Sequence, residues 1–348
     1  MDGAATWDQT AAWSARPQSR SRQDIRRIEQ LSDAVLGAGL ETIQFTPNLG
    51  GSLLHARRRG ALFSSGFIDG KVALRGCLSR EVLTLGLGLN MVGSARQWLS
   101  PVGTGTVVVF GAGEPHDGMY DVGSVYLAVS LPFEMLAAEA EREGVLLPGG
   151  LATGVLERSM AQAPLARLSA AYSALLTDAP PPLPPGETVE EVALAALVEH
   201  LSGGAEIVHA AYGASSYERI VDRARAFIDG AIETPLSTDQ IARAAHTSRR
   251  SLNRAFLQVL GETPREYVLK LRLQRIRDDL ASPREAELTV TMASNRWGVA
   301  ELGRLAARYR ELFGELPSET LRRRRTGVTL AQTAYPDRHA PATLDEGR

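Results

Sequence analysis

Cysteine is almost missing from this chain: Cys77 is the only one in 348 residues. No intramolecular disulfide can form, so covalent cross-links do not hold the fold. Cys77 lies in an apolar-alternating run, where a small buried hydrophobe is the expected role and a redox switch the alternative. No run of about 18 apolar residues occurs, so no membrane span is expected. The N-terminus lacks a basic head followed by an apolar core, so no signal peptide is expected and the predicted location is cytoplasmic. There is no phosphate loop, no nucleophile beside a base and no metal shell, so no catalytic residue, cofactor or metal is assigned and the chain reads as a non-enzyme.

The length suits two domains with ordinary cores. The 44% hydrophobic and 22% charged residues are those of a globular protein. The formal net charge of −2 hides an asymmetry. Before Ser216 there are 15 basic against 22 acidic residues; over Ser216–Arg325 there are 21 against 15. The basic C-terminal module fits a polyanionic partner, because neutralising phosphates releases counterions.

Within that module, Leu236–Leu260 predicts two short helices joined by a tight turn. Ser237 and Gln240 form a capping box. Ile241, Ala244 and Ala245 share a face, Ala245–His246–Thr247 is the turn, and Thr247 or Ser248 caps the second helix. Leu252, Phe256 and Val259 or Leu260 make its buried stripe, and Gly261 ends it. Arg249, Arg250, Asn253 and Arg254 fall on the outer face, where arginine can pair with guanine, asparagine with adenine, and both with phosphates.

From these residues onward the sequence resembles the AraC/XylS family of bacterial transcription regulators. The resemblance covers Tyr217–Arg325 and runs through SRRSLNRAF, GETPREYVLKLRLQRIRDDL and RWGV...LGRLAARYRELFGELPSE. It implies two helix-turn-helix units joined by a long connector helix, here starting at Thr263–Pro264–Glu266 and reaching Leu280. The implied DNA-binding residues are Ser248, Arg249, Arg250, Asn253 and Arg254 in the first unit, with Arg304 and Arg308 in the second. His246 replaces the usual turn glycine, which is strained if φ is positive there. The second unit departs further. Ala293 replaces a large apolar residue, Ala300 a capping residue and Ala307 the usual DNA-contacting arginine, while Gly303 sits inside the recognition helix. Base reading is therefore expected mainly from the first unit. Arg322–Arg325 is either a solvated helix end or a sequence-independent phosphate grip.

Ahead of the module, residues 1–22 read as a mobile tail and Gln23–Leu36 as a helix. Residues 23–131 form a β-rich sensor region. Its candidate strands are SLLHARR, ALFSSGFI, KVALRGCL, EVLTLGLGL, GTVVVFG and SVYLAVSL, with Asp69–Gly70 as a hairpin turn. The family resemblance implies a cupin-like β-barrel here, so the predicted fold class is α+β. His55 and His116 lack the H-x-H arrangement of a metal cupin, and Glu114 and His116 are expected in a solvated turn. Arg57, Arg58, Arg59, Arg75, Arg96 and Trp98 either wall an effector site or face solvent.

Residues 132–215 form a helical dimerisation and linker region. Pro132 opens a helix, and Ala163–Leu176 and Thr188–Leu201 are further helices. The broadly apolar Thr188–Leu201 helix packs either on the barrel or across a homodimer seam. Residues 326–348 read as a disordered tail. The combined expectation is a sequence-specific DNA-binding regulator, partnered by promoter DNA, RNA polymerase, a second copy and a small effector. The alternatives are a protein-interaction regulator with a weakened second DNA-binding half, and a cupin-type metalloenzyme.

Overall fold

The computed structural model describes residues 20–147, 150–204, 207–208, 215–282, 287–299 and 301–325. Chain positions 1–19 and 326–348, Gly213 and Ala300 lie outside the described residues, and so do the expectations placed on them. Among the described residues no helix is long and apolar enough to cross a membrane.

The structure is layered. An eight-stranded sheet has the order β1 (Arg20–Ile25), β3 (Gly50–Arg58), β4 (Ala61–Asp69), β11 (Ser124–Leu131), β6 (Leu83–Asn90), β9 (Val107–Phe110), β12 (Gly154–Leu156), β13 (Ile207–Val208). A five-stranded sheet has the order β2 (Glu41–Gln44), β5 (Val72–Cys77), β10 (Pro115–Tyr120), β7 (Arg96–Gln97), β8 (Ser100–Pro101). The two sheets face each other over Leu53, Ile68, Val72, Leu74, Trp98, Phe110 and Tyr126. Among the described strands they do not close on one another, so the mixed helix-and-sheet class stands without a closed barrel.

The outer face of the larger sheet carries Leu85, Leu87, Val107, Leu127 and Val129 against α1 (Phe133–Glu143), α2 (Gln162–Leu176) and α3 (Val189–Ser202). Pro132 is the N-cap of α1, and Gly144 ends it with φ 69°. Thr188 caps α3 by accepting from the Glu191 N–H. The apolar breadth of α3 is used within the chain: Val189, Ala193, Ala196, Leu197, Val198 and Leu201 are all buried.

Three expectations are corrected. The predicted Gln23–Leu36 helix is instead the end of β1 followed by a 3-10 helix, Ile28–Asp33. Three residues per turn place Ile28, Leu31 and Ala34 on one buried face, which a 3.6-residue reading takes for an α-helix. Residues 20–22, expected in the tail, pair with Ala56, His55 and Leu54 of β3. Asp69–Gly70 is not a hairpin: β4 pairs with β3 and β11, and β5 with β2 and β10, so this turn carries the chain from one sheet to the other. The β3–β4 hairpin turn is Arg59–Gly60, with φ 47° and 84° at its two central residues, the left-handed pair that a two-residue turn needs.

The C-terminal helices stand on the outer face of the five-stranded sheet. They are α4 (Ser216–Ala231), α5 (Thr238–Ala244), α6 (Arg249–Leu260), α7 (Pro264–Ala281), α8 (Val290–Arg296), α9 (Leu302–Phe313) and α10 (Pro317–Arg325). Ile43, Phe45, Ala73, Leu99 and Met119 of the sheet share one core with Val221, Ile228, Phe256, Tyr267 and Leu271. A second core joins Leu273, Ile276 and Leu280 of α7 to Leu305, Tyr309 and Leu312 of α9.

Candidate nucleic-acid interface

The first helix-turn-helix is α5, a turn and α6. Ser237 accepts from the Gln240 N–H, and the Gln240 side chain accepts from the Ser237 N–H, closing the box that fixes the start of α5. Ala245 ends α5, and His246 follows at φ 52°. A β-carbon there crowds the backbone, so the turn holds a strain that glycine would lack. Ser248, not Thr247, caps α6 by accepting from the Ser251 N–H, and Gly261 closes it at φ 74°. Leu252, Ala255, Phe256, Val259 and Leu260 are buried, which turns the opposite face outward.

On that outer face Arg250 and Arg254 are exposed and carry no ion pair among the described residues. Asn253 is half-buried and donates from Nδ2 to the Arg249 carbonyl at 3.0 Å, which leaves its side-chain oxygen as an acceptor. Arg249 is paired through Nε and Nη2 with both carboxylate oxygens of Asp239 on α5. Sequence reading missed this pair, because ten residues separate the partners and no helical spacing links them.

Along α7, Thr263 and Glu266 form the capping box, with Pro264 in the first turn. Tyr267, Leu271, Leu273, Ile276 and Leu280 are all buried, so this one helix belongs to both cores. It is continuous over 18 residues, about 27 Å at 1.5 Å per residue, and joins the two units as a stiff strut.

The second unit is α8, a turn and α9. Ala293 is fully buried, and Trp297 lies at the end of α8 with its indole N–H donating to Asp279 at 2.8 Å. Gly298 follows at φ 67°. Helix α9 starts at Glu301 with no side-chain cap. Gly303, Arg304, Ala307 and Arg308 are exposed together on its outer face. Arg304 pairs with Glu301 at 2.8 Å and Arg308 with Glu311 at 2.9 Å. Arg304 and Arg308 thus each have a carboxylate neighbour close by, as Arg250 and Arg254 of the first unit do not, while Arg310, also exposed on α9, has no ion pair among the described residues.

The four-arginine run divides. Arg323 bonds both oxygens of Glu315, and Arg324 donates to the Ser282 carbonyl at 3.0 Å. Burial works against the charge on Glu315, but Arg323, Arg277 and Thr320 outweigh it and bring its pKa down to about 2. Arg322 is mostly exposed, with Glu319 at 3.8 Å.

Between the two sheets lies a cavity of about 50 Å³. Gly86 and Gly88 of β6 border it while Leu85, Leu87 and Leu89 point to the helices, so the glycine alternation leaves this space open. His116 is not in a solvated turn: it is buried in β10, next to Tyr120 at 3.4 Å, and its Nδ1 has no partner. Burial pushes its pKa down to about 4, so it is neutral at pH 7. The buried Gln97 Nε2 is also without a partner. Glu114 is exposed, and no His/Cys/Asp/Glu group among the described residues is arranged to hold a metal.

Of the other wall candidates, Arg58 bonds Glu191, and Trp98 is buried with its N–H on the Pro115 carbonyl. Arg75 turns to Tyr267 and Asp229, and Arg96 borders the cavity and also meets Glu218. Cys77 is only half-buried and donates to the Ser79 carbonyl.

Two helix-turn-helix units on one connector define a class, the double helix-turn-helix proteins. Residues 241–323 match a family described as a helix-turn-helix domain. The chain is 34% identical over 125 residues to the XylDLEGF operon transcriptional activator 2 of Pseudomonas putida, covering 36% of this chain and 77% of that one. It is 36% identical over 129 residues to the XylDLEGF operon transcriptional activator 3 of the same organism, covering 37% of this chain and 38% of that one. A solved structure titled as a transcriptional regulator with an AraC-type DNA-binding domain, from Chromobacterium violaceum, is 34% identical. It covers 30% of this chain and 91% of that chain, with a TM-score of 0.27. The chain belongs to the AraC/XylS family. It matches little more than a third of the length of the XylDLEGF operon transcriptional activator 3.

Proposed function

We propose that this chain is a sequence-specific DNA-binding transcription regulator, with residues 216–325 as the DNA-binding part and residues 23–131 as a regulatory part. The observation that carries the reading is the first recognition helix: capped, buried on one side, and offering Arg250, Asn253 and Arg254 on the other. Such a helix fits the major groove. Ser248 and Arg249, at its start, are assigned to phosphate contact, with Arg249 steadied by Asp239. Arg304 and Arg308 serve phosphate contact, and their paired state supports a second unit that grips more than it reads.

A small effector is part of the proposal on the strength of the family; the cavity between the sheets, at about 50 Å³, would have to widen to admit one, and the buried Gln97 amide bordering it has a donor to offer an acceptor. The two-sheet shell thereby does the work expected of a cupin-like barrel. A homodimer and contact with RNA polymerase complete the proposal, on the strength of the family.

The test is selection of duplexes from a randomised library by the purified full-length chain. Enrichment of one motif is the expected result. Recovery of unselected DNA, with affinity set only by salt, rejects sequence-specific reading.

A further inference from the structure

The carbonyls of the last turn of a helix have no partner within that helix. In both recognition helices the five-stranded sheet supplies one. Lys71 donates from Nζ to the Leu260 carbonyl at 2.5 Å, at the end of α6. Gln44 donates from Nε2 to the Leu312 carbonyl at 2.8 Å, at the end of α9. Gln44 ends β2 and Lys71 immediately precedes its partner strand β5, and the Phe45 N–H bonds the Lys71 carbonyl at 2.8 Å. Thr46 ties them further. Its carbonyl accepts from Gln44 at 2.8 Å and its hydroxyl from the Lys71 N–H at 2.7 Å.

Between them Phe45 meets the connector. Its carbonyl accepts from Lys270 at 2.6 Å, and its ring stacks on Tyr267 at 6.0 Å. One corner of one sheet thus touches the end of the first recognition helix, the middle of the strut and the end of the second recognition helix. A lysine at a helix C-terminus also meets the negative end of the helix dipole. The outward faces of both helices, with Arg250, Arg254, Arg304 and Arg308, remain exposed.

We propose that Gln44 and Lys71 are positioning residues for DNA reading, which hold the two recognition helices at one fixed separation through their C-terminal carbonyls. The inference rests on the DNA-binding reading for its purpose, but not for its geometry. The corner is a wedge: with both bonds made, α6 and α9 cannot shift relative to α7 without losing a hydrogen bond, partly buried at α6 and buried at α9.

The test uses the full chain carrying Cys77→Ser, with nitroxide labels at Arg243→Cys on α5 and Met292→Cys on α8, both exposed positions. Pulsed electron resonance then reads the separation of the two units. The expected result is one narrow distance distribution. Lys71→Met and Gln44→Met should each broaden it, and together broaden it most, while Lys71→Arg, which still reaches the carbonyl, should keep it narrow. If the double variant does not fold, the single variants decide.

A distribution unchanged in both single variants overturns the proposal. A second arm measures affinity for a duplex selected by the unlabelled wild-type chain. The double variant should bind about tenfold more weakly, the scale of one or two lost contacts. Broadened distances with unchanged affinity overturn the positioning role. If the wild-type chain selects no duplex at all, the DNA-reading proposal fails, and the distance result separately decides whether the wedge exists.

Discussion

Of the arginines that close α10, Arg323 is about three-quarters buried against Glu315, while Arg322 has 72% of its side chain in solvent. The two neighbours should behave differently. Arg323→Ala should lower stability by about 1–2 kcal/mol, because it leaves Glu315 partly buried with fewer donors. Thermal melting reads this. Arg322→Ala should leave the melt alone and reduce the log–log salt slope of DNA binding by about 0.9, one phosphate's worth.

Titration sits at this scale too. Burial, together with Glu29 and Glu41, raises the pKa of Asp278 from 3.8 to about 7 against the pull of Gln274 and Arg275. An acid with a raised pKa binds its proton more tightly when folded. It lowers stability as pH rises from about 4 to about 7. Asp278→Asn should therefore raise the melting temperature at pH 8 relative to wild type and lose that advantage at pH 4. An equal gain at both pH values would assign the effect to packing instead.

At the scale of elements, what the sequence shows plainly is whatever is fixed locally. The capping boxes at Ser237 and Thr263, the C-terminal glycines Gly261 and Gly314, and the apolar stripe of α6 all depend on residues within a few positions. So does the positive φ expected at His246. Strand partners depend on residues far apart, and there the sequence misleads. Asp69–Gly70 has the composition of a hairpin turn, yet the chain leaves one sheet for the other there. His116 follows an exposed Glu114–Pro115 but turns inward on the strand alternation. Gln44, Lys71 and Asp239 carry no local mark at all, since their partners are set by docking.

Local strain gives two stability predictions. Gly303 lies in α9 with no atom within 4 Å of an added β-carbon, so Gly303→Ala should stabilise by about 1 kcal/mol. His246→Gly should relieve the left-handed turn by a similar amount, about 1 kcal/mol. Denaturant midpoints check both, and a loss in either would mean that an unseen contact outweighs backbone preference.

For the whole molecule, the main consequence is a core shared by the five-stranded sheet and the first helix-turn-helix unit. Around it run Arg225 to Asp117 at 2.6 Å, Arg275 to Glu41 at 2.6 Å and Arg277 to Glu29 at 2.7 Å. The N-terminal sheets and the C-terminal helices should then unfold together. Calorimetry of the full chain should show one transition, and two well-separated transitions would mean that the halves are energetically independent. The burial of α3 within its own chain accounts for most of its apolar breadth without a second copy.

The central claim is that one chain reads DNA with its first unit and grips it with its second. The most direct measurement is base preference, scored by library selection at fixed salt, for the wild-type chain, Asn253→Ala and Arg304→Ala. Asn253→Ala should cost about 1–3 kcal/mol on the selected duplex and relax preference at one or two base pairs. Arg304→Ala should weaken selected and unrelated duplexes by nearly the same factor. If Arg304→Ala relaxes base preference as strongly as Asn253→Ala does, both units read sequence and the account is contradicted.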